Sequence, residues 1–314
     1  MVAPSSSITD KGAVARKRRR RIQKDWWGWL FCAPWILHFA ALVVLPMLGS
    51  FVFSLYDFGG IWGTGKFAGL GNYRDLLLTD ARFWNSLKNT LVIGLMVAGP
   101  GLLMAVGLGA LLSGKTPGKG IFRLLIYTPS VIPPVVVALL WGQLLNPRYG
   151  LINLALNSLG VDGPPWLGDP TWAKWALALV SWYGIGGSVL GFSAAFEQVP
   201  KEMVEAAVID GAGPLRRFFS IQLPMVSPQM FFFLVNAVTA ALTHIVAPMV
   251  LTDGGPAEAT MVWPLYMFRL MFTYNKFGHG AASAWIMALV TILFLLIVFR
   301  TEKRWVHYEG GDDE

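Results

Sequence analysis

The most complete chemical pattern in this chain is one that binds phosphate. Gly109 to Thr116 read G-A-L-L-S-G-K-T and satisfy G-x4-G-K-[ST], in which backbone amides, a lysine and a hydroxyl hold nucleotide phosphates. That chemistry needs a strand before the loop and a helix after it. Here the pattern closes a long apolar segment, and Pro117-Gly118 stands where the helix should begin. We therefore expect that this chain binds no nucleotide.

Other reactive patterns are missing from the sequence. No grouping of His, Cys, Asp and Glu has the spacing of a metal site or a catalytic triad. Cys32 is the only cysteine, so an internal disulfide is impossible. We expect no catalytic residue, no metal and no cofactor in this chain.

The apolar composition indicates which elements must position any functional residue. Hydrophobic residues make up 55% of the chain, charged residues 14%, and the mean hydropathy is +0.54. The apolar residues form blocks of the length that a helix needs to cross a bilayer, roughly 20 residues. We therefore predict an all-α integral membrane protein with six transmembrane helices. They lie at about 29–52, 89–112, 121–145, 173–195, 228–250 and 281–299.

The domain organisation follows from these blocks. Residues 29–300 are predicted to form one membrane domain, flanked by a basic disordered tail at 1–28 and a short tail at 301–314. Pro129, Pro133 and Pro134 predict a kink in the third span. Before the second span, residues 73–78 and 82–87 mix apolar and charged residues at near-helical spacing, which predicts a short interfacial helix leading into that span.

The distribution of lysine and arginine predicts the orientation. Seventeen of the 25 basic residues lie before the first span, after the last one, or in alternate loops. The positive-inside rule places that side in the cytoplasm, so both termini and the 197–224 loop are predicted to be cytoplasmic. The basic run from Arg16 to Lys24 is expected to contact anionic lipid rather than nucleic acid.

The 197–224 loop has the signals of a helix-turn-helix. Glu202 to Asp210 is predicted to be a short helix, since acidic residues favour the first turn of a helix. Gly211 can adopt the left-handed geometry of a helix end, and Pro214 is suited to open the next helix. Pro224 and Pro228 predict stiff connections to the fifth span.

This loop also resembles a known motif. Glu205-Ala206-Ala207, Gly211, Ile221, Leu223 and Pro224 have the spacing E-A-A-x3-G-x9-I-x-L-P, which resembles the ATPase-docking loop of importer-type ABC transporter permeases. Further stretches are similar to the carbohydrate-uptake branch of that family, which includes maltose and glycerol-3-phosphate importers. They are Gly69 to Tyr73, Leu145 to Pro147, Tyr149 to Leu151, Asp210 to Ala212 and Thr252 to Pro256.

The resemblance implies a machine of several subunits in a bacterial or archaeal cytoplasmic membrane. This chain would pair with a second, similar permease, two ATPase subunits that bind ATP and Mg²⁺, and an extracytoplasmic substrate-binding protein. Glu205 and Gly211 would seat the loop in a cleft of the ATPase, and the other predicted ATPase-coupling residues are Ala206, Ala207, Asp210, Ile221, Leu223 and Pro224. We call residues 197–224 the coupling loop. His244 to Pro248 depart from the Phe-Asp-containing segment common in this branch, which leaves the particular sugar open.

A candidate substrate route lies in the fifth span. Asn236, Thr239, Thr243 and His244 are its polar residues, and their spacing places them on one face of a helix. Polar groups inside a membrane usually face a cavity or another helix. Trp182 and Tyr183 offer flat faces on which sugar rings can stack. In the alternative interpretation, Thr239 and Thr243 bond their own helix and Asn236 joins two helices.

Together these patterns predict the permease subunit of an ATP-driven ABC importer that moves a sugar or related polyol inward by alternating access. The main alternative is a secondary transporter driven by an ion gradient. Such a transporter would normally carry ionisable groups deep in its spans, and only His244 meets that description. A membrane-embedded enzyme would need catalytic residues at one depth, and the sequence shows none.

Overall fold

The computed structural model describes residues 28–58, 65–114 and 117–307. The basic run before the first span, Lys115-Thr116 and the last seven residues lie outside the described residues. The predictions for the disordered N-terminal tail and for the end of the C-terminal tail therefore remain predictions.

The described residues fold into helices joined by short loops and one small antiparallel ribbon. The helices that precede the coupling loop are α1 (Gly28–Ser54), α2 (Gly71–Leu78), α3 (Ala81–Ser113), α4 (Lys119–Val131), α5 (Pro134–Leu144), α6 (Leu151–Ser158), α7 (Pro170–Tyr183) and α8 (Gly186–Gln198). The coupling loop holds α9 (Lys201–Ile209) and α10 (residues 214–225). They are followed by α11 (Ser227–Thr243), α12 (Trp263–Phe272) and α13 (Phe277–Glu302). Strands β1 (Tyr56–Asp57) and β2 (Lys66–Phe67) pair between α1 and α2.

Four helices of the described chain are long and apolar enough to cross a membrane, and two bent helix pairs pass the same test when each pair is taken together. The four are α1, α3, α13 and the segment Ser227–Thr252. The bent pairs are α4 with α5 and α7 with α8, at the predicted third and fourth spans. All six apolar blocks predicted from the sequence therefore correspond to helical segments of the structure.

The third apolar block bends by 101° between α4 and α5. Ile132 has extended backbone there, with ψ of 133°, because the ring of Pro133 disfavours the helical conformation of the residue before it. This confirms the break predicted from the prolines. The 50° bend between Tyr183 and Gly186 was not predicted, because its sequence carries glycine but no proline.

The fifth apolar block is interrupted, contrary to the continuous helix predicted over 228–250. Helix α11 ends at Thr243, and His244 adopts extended backbone with ψ of 114°. The chain then resumes as a π-helical turn over Pro248–Thr252. Pro248 has no N–H to give to the carbonyl of His244, four residues earlier, which accounts for the break at this position.

The segment before α3 also differs from the prediction. Residues 73–78 form α2, but residues 82–87 are the first turns of α3 itself. Asp80 separates the two helices, and its carboxylate accepts hydrogen bonds from the backbone N–H groups of Arg82 (2.9 Å) and Phe83 (3.3 Å). An aspartate at this position satisfies N–H groups that would otherwise lack partners and so starts a new helix.

Helix α8 packs tightly against α3 and α4 through glycines. A Cβ on Gly109 of α3 would lie 2.5 Å from the Cβ of Phe192, and a Cβ on Gly186 would lie 2.2 Å from the carbonyl oxygen of Ile126. Phe192 is fully buried in the apolar cluster at this contact. Gly109 is therefore a packing residue inside a helix that began at Ala81, which is not the strand-loop-helix arrangement that a phosphate-binding loop requires.

Candidate functional site

Helix α9 of the coupling loop ends in the hydrogen-bond pattern predicted from its glycine. Gly211 has a φ of +75°, a left-handed conformation that glycine adopts without strain. The Ala212 N–H donates to the Ala207 carbonyl (2.8 Å), and the Gly211 N–H donates to the Val208 carbonyl (3.0 Å). This pair of bonds is the Schellman motif, which satisfies the last carbonyls of a helix. The direction in which the chain leaves α9 is thereby fixed.

The second half of the loop forms one irregular helix. α10 begins at Pro214, its first helical residue, as predicted. Between Phe218 and Gln222 it widens into a π-helical turn, and the Leu223 N–H donates to the Phe218 carbonyl. Pro224 then follows in the last helical segment, Leu223–Met225. Because a proline has no N–H to offer, a normal α-helical bond from Pro224 is impossible.

A short junction joins α10 to α11. Val226 leaves the helical conformation, and α11 starts at Ser227 with Pro228 in its first turn. The Ser227 hydroxyl donates to the Pro224 carbonyl (2.6 Å) and accepts the backbone N–H of His307 (2.8 Å). The connection is therefore short and hydrogen-bonded, in agreement with the stiff connection predicted from Pro224 and Pro228.

The predicted coupling residues differ in exposure. Glu205, Ala206, Asp210 and Gly211 are exposed, whereas Ile221, Leu223 and Pro224 are half-buried. Ala207 is buried against the chain itself. Of the two alanines, only Ala206 is therefore free to let a partner's backbone approach, and Ala207 packs the loop internally.

The coupling loop also presents large apolar side chains to its surroundings. Ile209 is 86% exposed and Leu215 is 75% exposed, one on each helix beside the Gly211 turn. Exposed apolar side chains of this size, grouped and bordered by charged residues, are typical of a protein–protein contact. Met203, Val208 and Phe219 of the same loop are also exposed.

A second candidate site is a cavity of about 270 Å³ lined by residues of α3, α7, α8 and α11. Its lining is mostly apolar, and the polar side chains are Thr90, Ser181, Ser188 and His244. The Thr90 hydroxyl donates to the Ser86 carbonyl (2.8 Å) and accepts the Trp263 N–H (2.7 Å). The Nε2 atom of His244 is buried and has no hydrogen-bond partner among the described residues. His244 thus brings an unpaired polar atom to the broken part of the fifth span.

The polar stripe predicted in the fifth span is divided between two surroundings. Asn236, Thr239 and Thr243 are exposed on the surface of the chain, while His244 lines the cavity. Each of the first three donates to the carbonyl four residues before it, at 2.8, 2.9 and 2.9 Å. The prediction of a single face including His244 was wrong, because the helix ends at Thr243.

The two aromatic residues proposed for sugar stacking lie outside the cavity lining. Trp182 donates its Nε1–H to the Val97 carbonyl (3.1 Å), and its ring packs beside Gly101 of α3. Tyr183 is 41% exposed and makes an edge contact with Trp141 at 5.6 Å between ring centroids. Trp182 therefore has a packing role, whereas one face of Tyr183 remains accessible.

The comparison with known proteins decides the family. Residues 82–304 match the family described as binding-protein-dependent transport system inner membrane component. The chain belongs to this family of ABC importer permeases. The match starts in the first turn of α3 and continues past α13, so it includes the coupling loop and the cavity.

Individual relatives of this permease agree with that assignment. It is 34% identical to the probable ABC transporter permease protein YesP of Bacillus subtilis, over 98% of this chain and 100% of the relative. It is 32% identical to the sn-glycerol-3-phosphate transport system permease protein UgpA of Pectobacterium atrosepticum, over 91% and 97% of the two chains.

A solved structure shares the fold of this permease. It is the crystal structure of a bacterial alginate ABC transporter in complex with an alginate pentasaccharide-bound periplasmic protein. One of its chains superposes with a TM-score of 0.80 at 22% identity, over 91% of this permease and 96% of that chain.

Most of the polar residues that line the cavity were not predicted from the sequence. Thr90, Ser181 and Ser188 are polar residues within apolar blocks, and that property could have identified them. Their convergence around His244 could not be predicted, because the cavity depends on the bend between α7 and α8 and on the break after Thr243.

Proposed function

We propose that this permease is the membrane-spanning subunit of an ATP-driven importer of a sugar or related polyol. The observation that carries the proposal is the coupling loop, a capped helix-turn-helix with exposed Glu205 and an exposed apolar surface, placed between two membrane segments. The relatives support the substrate class, since one is a permease for sn-glycerol-3-phosphate and a structure of the same fold belongs to an alginate transporter.

The proposed topology has six spans, with each bent pair counted as one. Both termini and the coupling loop then lie in the cytoplasm of a bacterium or an archaeon. The clustering of 17 of 25 basic residues on that side supports this orientation. The loops at about 53–88, 146–172 and 251–280 face outward.

The proposed assembly contains a second permease of similar sequence, two ATPase subunits and an extracytoplasmic binding protein. ATP and Mg²⁺ are bound by the ATPase subunits. This chain supplies the seat for one of them through Glu205, Ala206, Asp210 and the turn at Gly211. The presence of a periplasmic binding protein in the alginate transporter complex supports the last partner.

Transport in this proposal is alternating access. ATP binding moves the ATPase subunits together, and the coupling loop transmits that movement to the fifth span through the short junction at Val226. Reversing a 1:99 population of two conformations takes roughly 5.5 kcal/mol of differential binding. Two ATP-bound contacts can supply a free energy of that size.

The proposed route has two parts. The cavity offers His244 Nε2 to a hydroxyl group of the substrate, since sugars need hydrogen-bond donors and acceptors. The exposed face with Asn236, Thr239 and Thr243 is proposed to turn toward the second permease, so that the route runs along the junction between the two subunits. Tyr183 supplies an accessible ring on the same chain.

The route is tested by replacing His244 with Leu, which keeps the volume and removes the nitrogen. Uptake is expected to fall about tenfold because a buried polar substrate group then loses its partner. The matched control is His38→Leu on α1, the same substitution at an exposed histidine outside the cavity lining. If His244→Leu transports at the normal rate, the cavity is not part of the route.

The function as a whole is tested by reconstituting the purified transporter complex in proteoliposomes. Radiolabelled sn-glycerol-3-phosphate and a panel of sugars serve as probes, delivered with the binding protein. Uptake is expected to require ATP and to continue after ionophores collapse proton and sodium gradients. Gradient-driven uptake without nucleotide would instead establish the secondary transporter.

A further inference from the structure

A network of charged side chains lies at the start of the coupling loop. Glu197 is in the last turn of α8, three residues from Pro200, which precedes α9. Its Oε1 atom accepts hydrogen bonds from Lys119 and, at 2.5 Å, from the Arg123 guanidinium. The Arg123 Nη2 also donates to the hydroxyl of the fully buried Ser193 at 2.8 Å. Two cations of α4 therefore converge on one carboxylate oxygen of α8.

The same network reaches α3. The Lys119 ammonium donates to the carbonyl of Ser113, the last residue of α3, at 3.2 Å. Glu197, Lys119 and Ser113 thus join the ends of three helices at one point. We call the group Glu197, Lys119, Arg123 and Ser193 the charge clamp. Its charged side chains are 26 to 40% exposed, so water weakens each pair without removing it.

Helix α4 has few other attachments. None of its residues is buried, and four of its apolar side chains are more than 60% exposed: Ile121, Leu124, Leu125 and Val131. Its close contact is with α8, where Gly186 lets the backbone of Ile126 approach. The clamp fixes the start of α4, and the glycine contact fixes its end. Movement of α8 must therefore carry α4 with it.

We propose that Glu197 is a positioning residue that transmits movement of the coupling loop to the third span. Force applied to α9 passes through Pro200 to the end of α8, and the two cations transfer it to α4. Beyond α4 lies the 101° bend at Ile132, which leads to α5. The third span therefore moves together with the coupling loop, in addition to the fifth span. This inference rests on the proposed docking of an ATPase subunit at that loop.

The test measures distances between spin labels in the full transporter complex with its ATPase subunits. Cys32 is first replaced by Ser, and cysteines are introduced at Ile209 and Val131, which are 86% and 65% exposed. A second pair joins Ile209 to Ile297, which lies on α13 and is 52% exposed. Distance distributions are recorded without nucleotide and after trapping with ATP and vanadate.

If the charge clamp joins α4 to the coupling loop, the two distances should respond differently to trapping. In the unmodified background the Ile209–Ile297 distance shifts on trapping, while the Ile209–Val131 distance stays the same because both sites move as one unit. In Glu197→Gln the Ile209–Val131 distribution is expected to shift or broaden on trapping. Arg123→Gln should give the same change, and the double variant should add little, since both act through one contact. Glu197→Asp, which keeps the charge, should restore most of the unmodified pattern.

The matched control is Glu258→Gln, which removes the carboxylate of the Arg82–Glu258 ion pair (3.2 Å), whose two side chains are also partly exposed. It should leave both distributions as they are. If Glu197→Gln fails to assemble, Lys119→Gln replaces it, because that variant keeps the Arg123 contact.

Two outcomes overturn the inference. One is an Ile209–Val131 distance that is unaffected by Glu197→Gln, and the other is an equal change in Glu258→Gln. An Ile209–Ile297 distance that never responds to nucleotide would instead contradict the proposed docking function, and so the two failures are distinguishable.

Discussion

At the scale of single residues, Gly211 determines the shape of the coupling loop. Its φ of +75° costs a residue with a side chain about 1–2 kcal/mol, and a β-branched residue more. Gly211→Val is therefore expected to disturb the Schellman cap and to uncouple ATP hydrolysis from uptake while the protein still inserts into the membrane. The measurement is the amount of substrate moved per ATP hydrolysed in proteoliposomes.

Gly213 supplies the control in the same loop. Its φ is −67°, and a Cβ there meets no atom within 4 Å. Gly213→Val should retain coupling, since extended backbone suits valine. Equal losses in both variants would show that bulk on the loop, rather than the left-handed turn, disturbs the contact.

The exposed carboxylate of Glu205 is expected to bind the ATPase subunit. A hydrogen bond to a charged group contributes about 1.5–3 kcal/mol, so Glu205→Ala should weaken ATPase binding about tenfold or more. The measurement is the yield of ATPase subunit that co-purifies with the chain in mild detergent. Glu202→Ala, one turn earlier on the exposed part of the same helix, should bind normally. Unchanged co-purification of Glu205→Ala would exclude Glu205 from the contact.

Sequence alone predicted this loop well because its signals are local. The positive φ of Gly211 and the first-turn position of Pro214 follow from properties of glycine and proline that need no distant partner. The burial of Ala207 and the charge clamp at Glu197 could not be predicted in this way. Both depend on which helix packs beside α9 or α8, and that is decided by contacts far apart in the chain.

At the scale of elements, glycine contacts hold α3, α4 and α8 together. Gly109→Ala places a Cβ 2.5 Å from that of buried Phe192, and overpacking of this kind typically costs 1–3 kcal/mol. We expect the variant to unfold at a lower temperature in detergent, as followed by thermal denaturation. Gly107→Ala, on an exposed part of the same helix where a Cβ meets nothing within 4 Å, should unfold at the normal temperature or slightly above it.

This comparison also separates the two interpretations of the G-x4-G-K-[ST] pattern. If Gly109 shaped a phosphate-binding loop, alanine there would weaken nucleotide binding rather than thermal stability. A normal unfolding temperature for Gly109→Ala would contradict the packing role. The buried position of Gly109 within α3 favours the packing role.

Helix breaks were harder to predict than helices. The proline pair at 133–134 predicted the bend after α4, because the residue before a proline avoids the helical conformation. Pro248 acts at a distance of four residues, so its effect appears at His244, where the sequence itself shows no break signal. The bend between α7 and α8 has only glycines near it, and glycine permits a bend without requiring one.

At the other end of α3, Asp80 has two roles. It caps α3, and its second carboxylate oxygen accepts a hydrogen bond from the hydroxyl of Tyr266 on α12. Partial burial, reinforced by this carboxylate, raises the pKa of Tyr266 above its usual range, so the hydroxyl keeps its proton and donates at every physiological pH. Titration of Tyr266 is therefore not expected to alter this contact in that range.

At the scale of the whole molecule, the exposed apolar surface indicates that much of the chain contacts a solvent other than water. None of the 18 residues in the most apolar stretch of α1 is buried within the chain. The contacts of α1 are largely confined to its last ten residues, which pack on α13. Phe51 meets Trp285 there at 5.2 Å between ring centroids. The remaining apolar side chains of α1 are available to lipid or to a neighbouring subunit.

The orientation of the chain in the membrane can be tested by cysteine labelling. In a Cys32→Ser background, single cysteines are placed at Ile209 in the coupling loop and at Leu159 between α6 and α7, which are 86% and 79% exposed. Because most basic residues lie on the side of the coupling loop, a membrane-impermeant maleimide added to protoplasts should label Leu159→Cys and leave Ile209→Cys unlabelled. In permeabilised cells, as the control, both cysteines should be labelled. Labelling of Ile209→Cys from outside would place the loop beyond reach of any cytoplasmic ATPase, and the coupling mechanism would then be impossible.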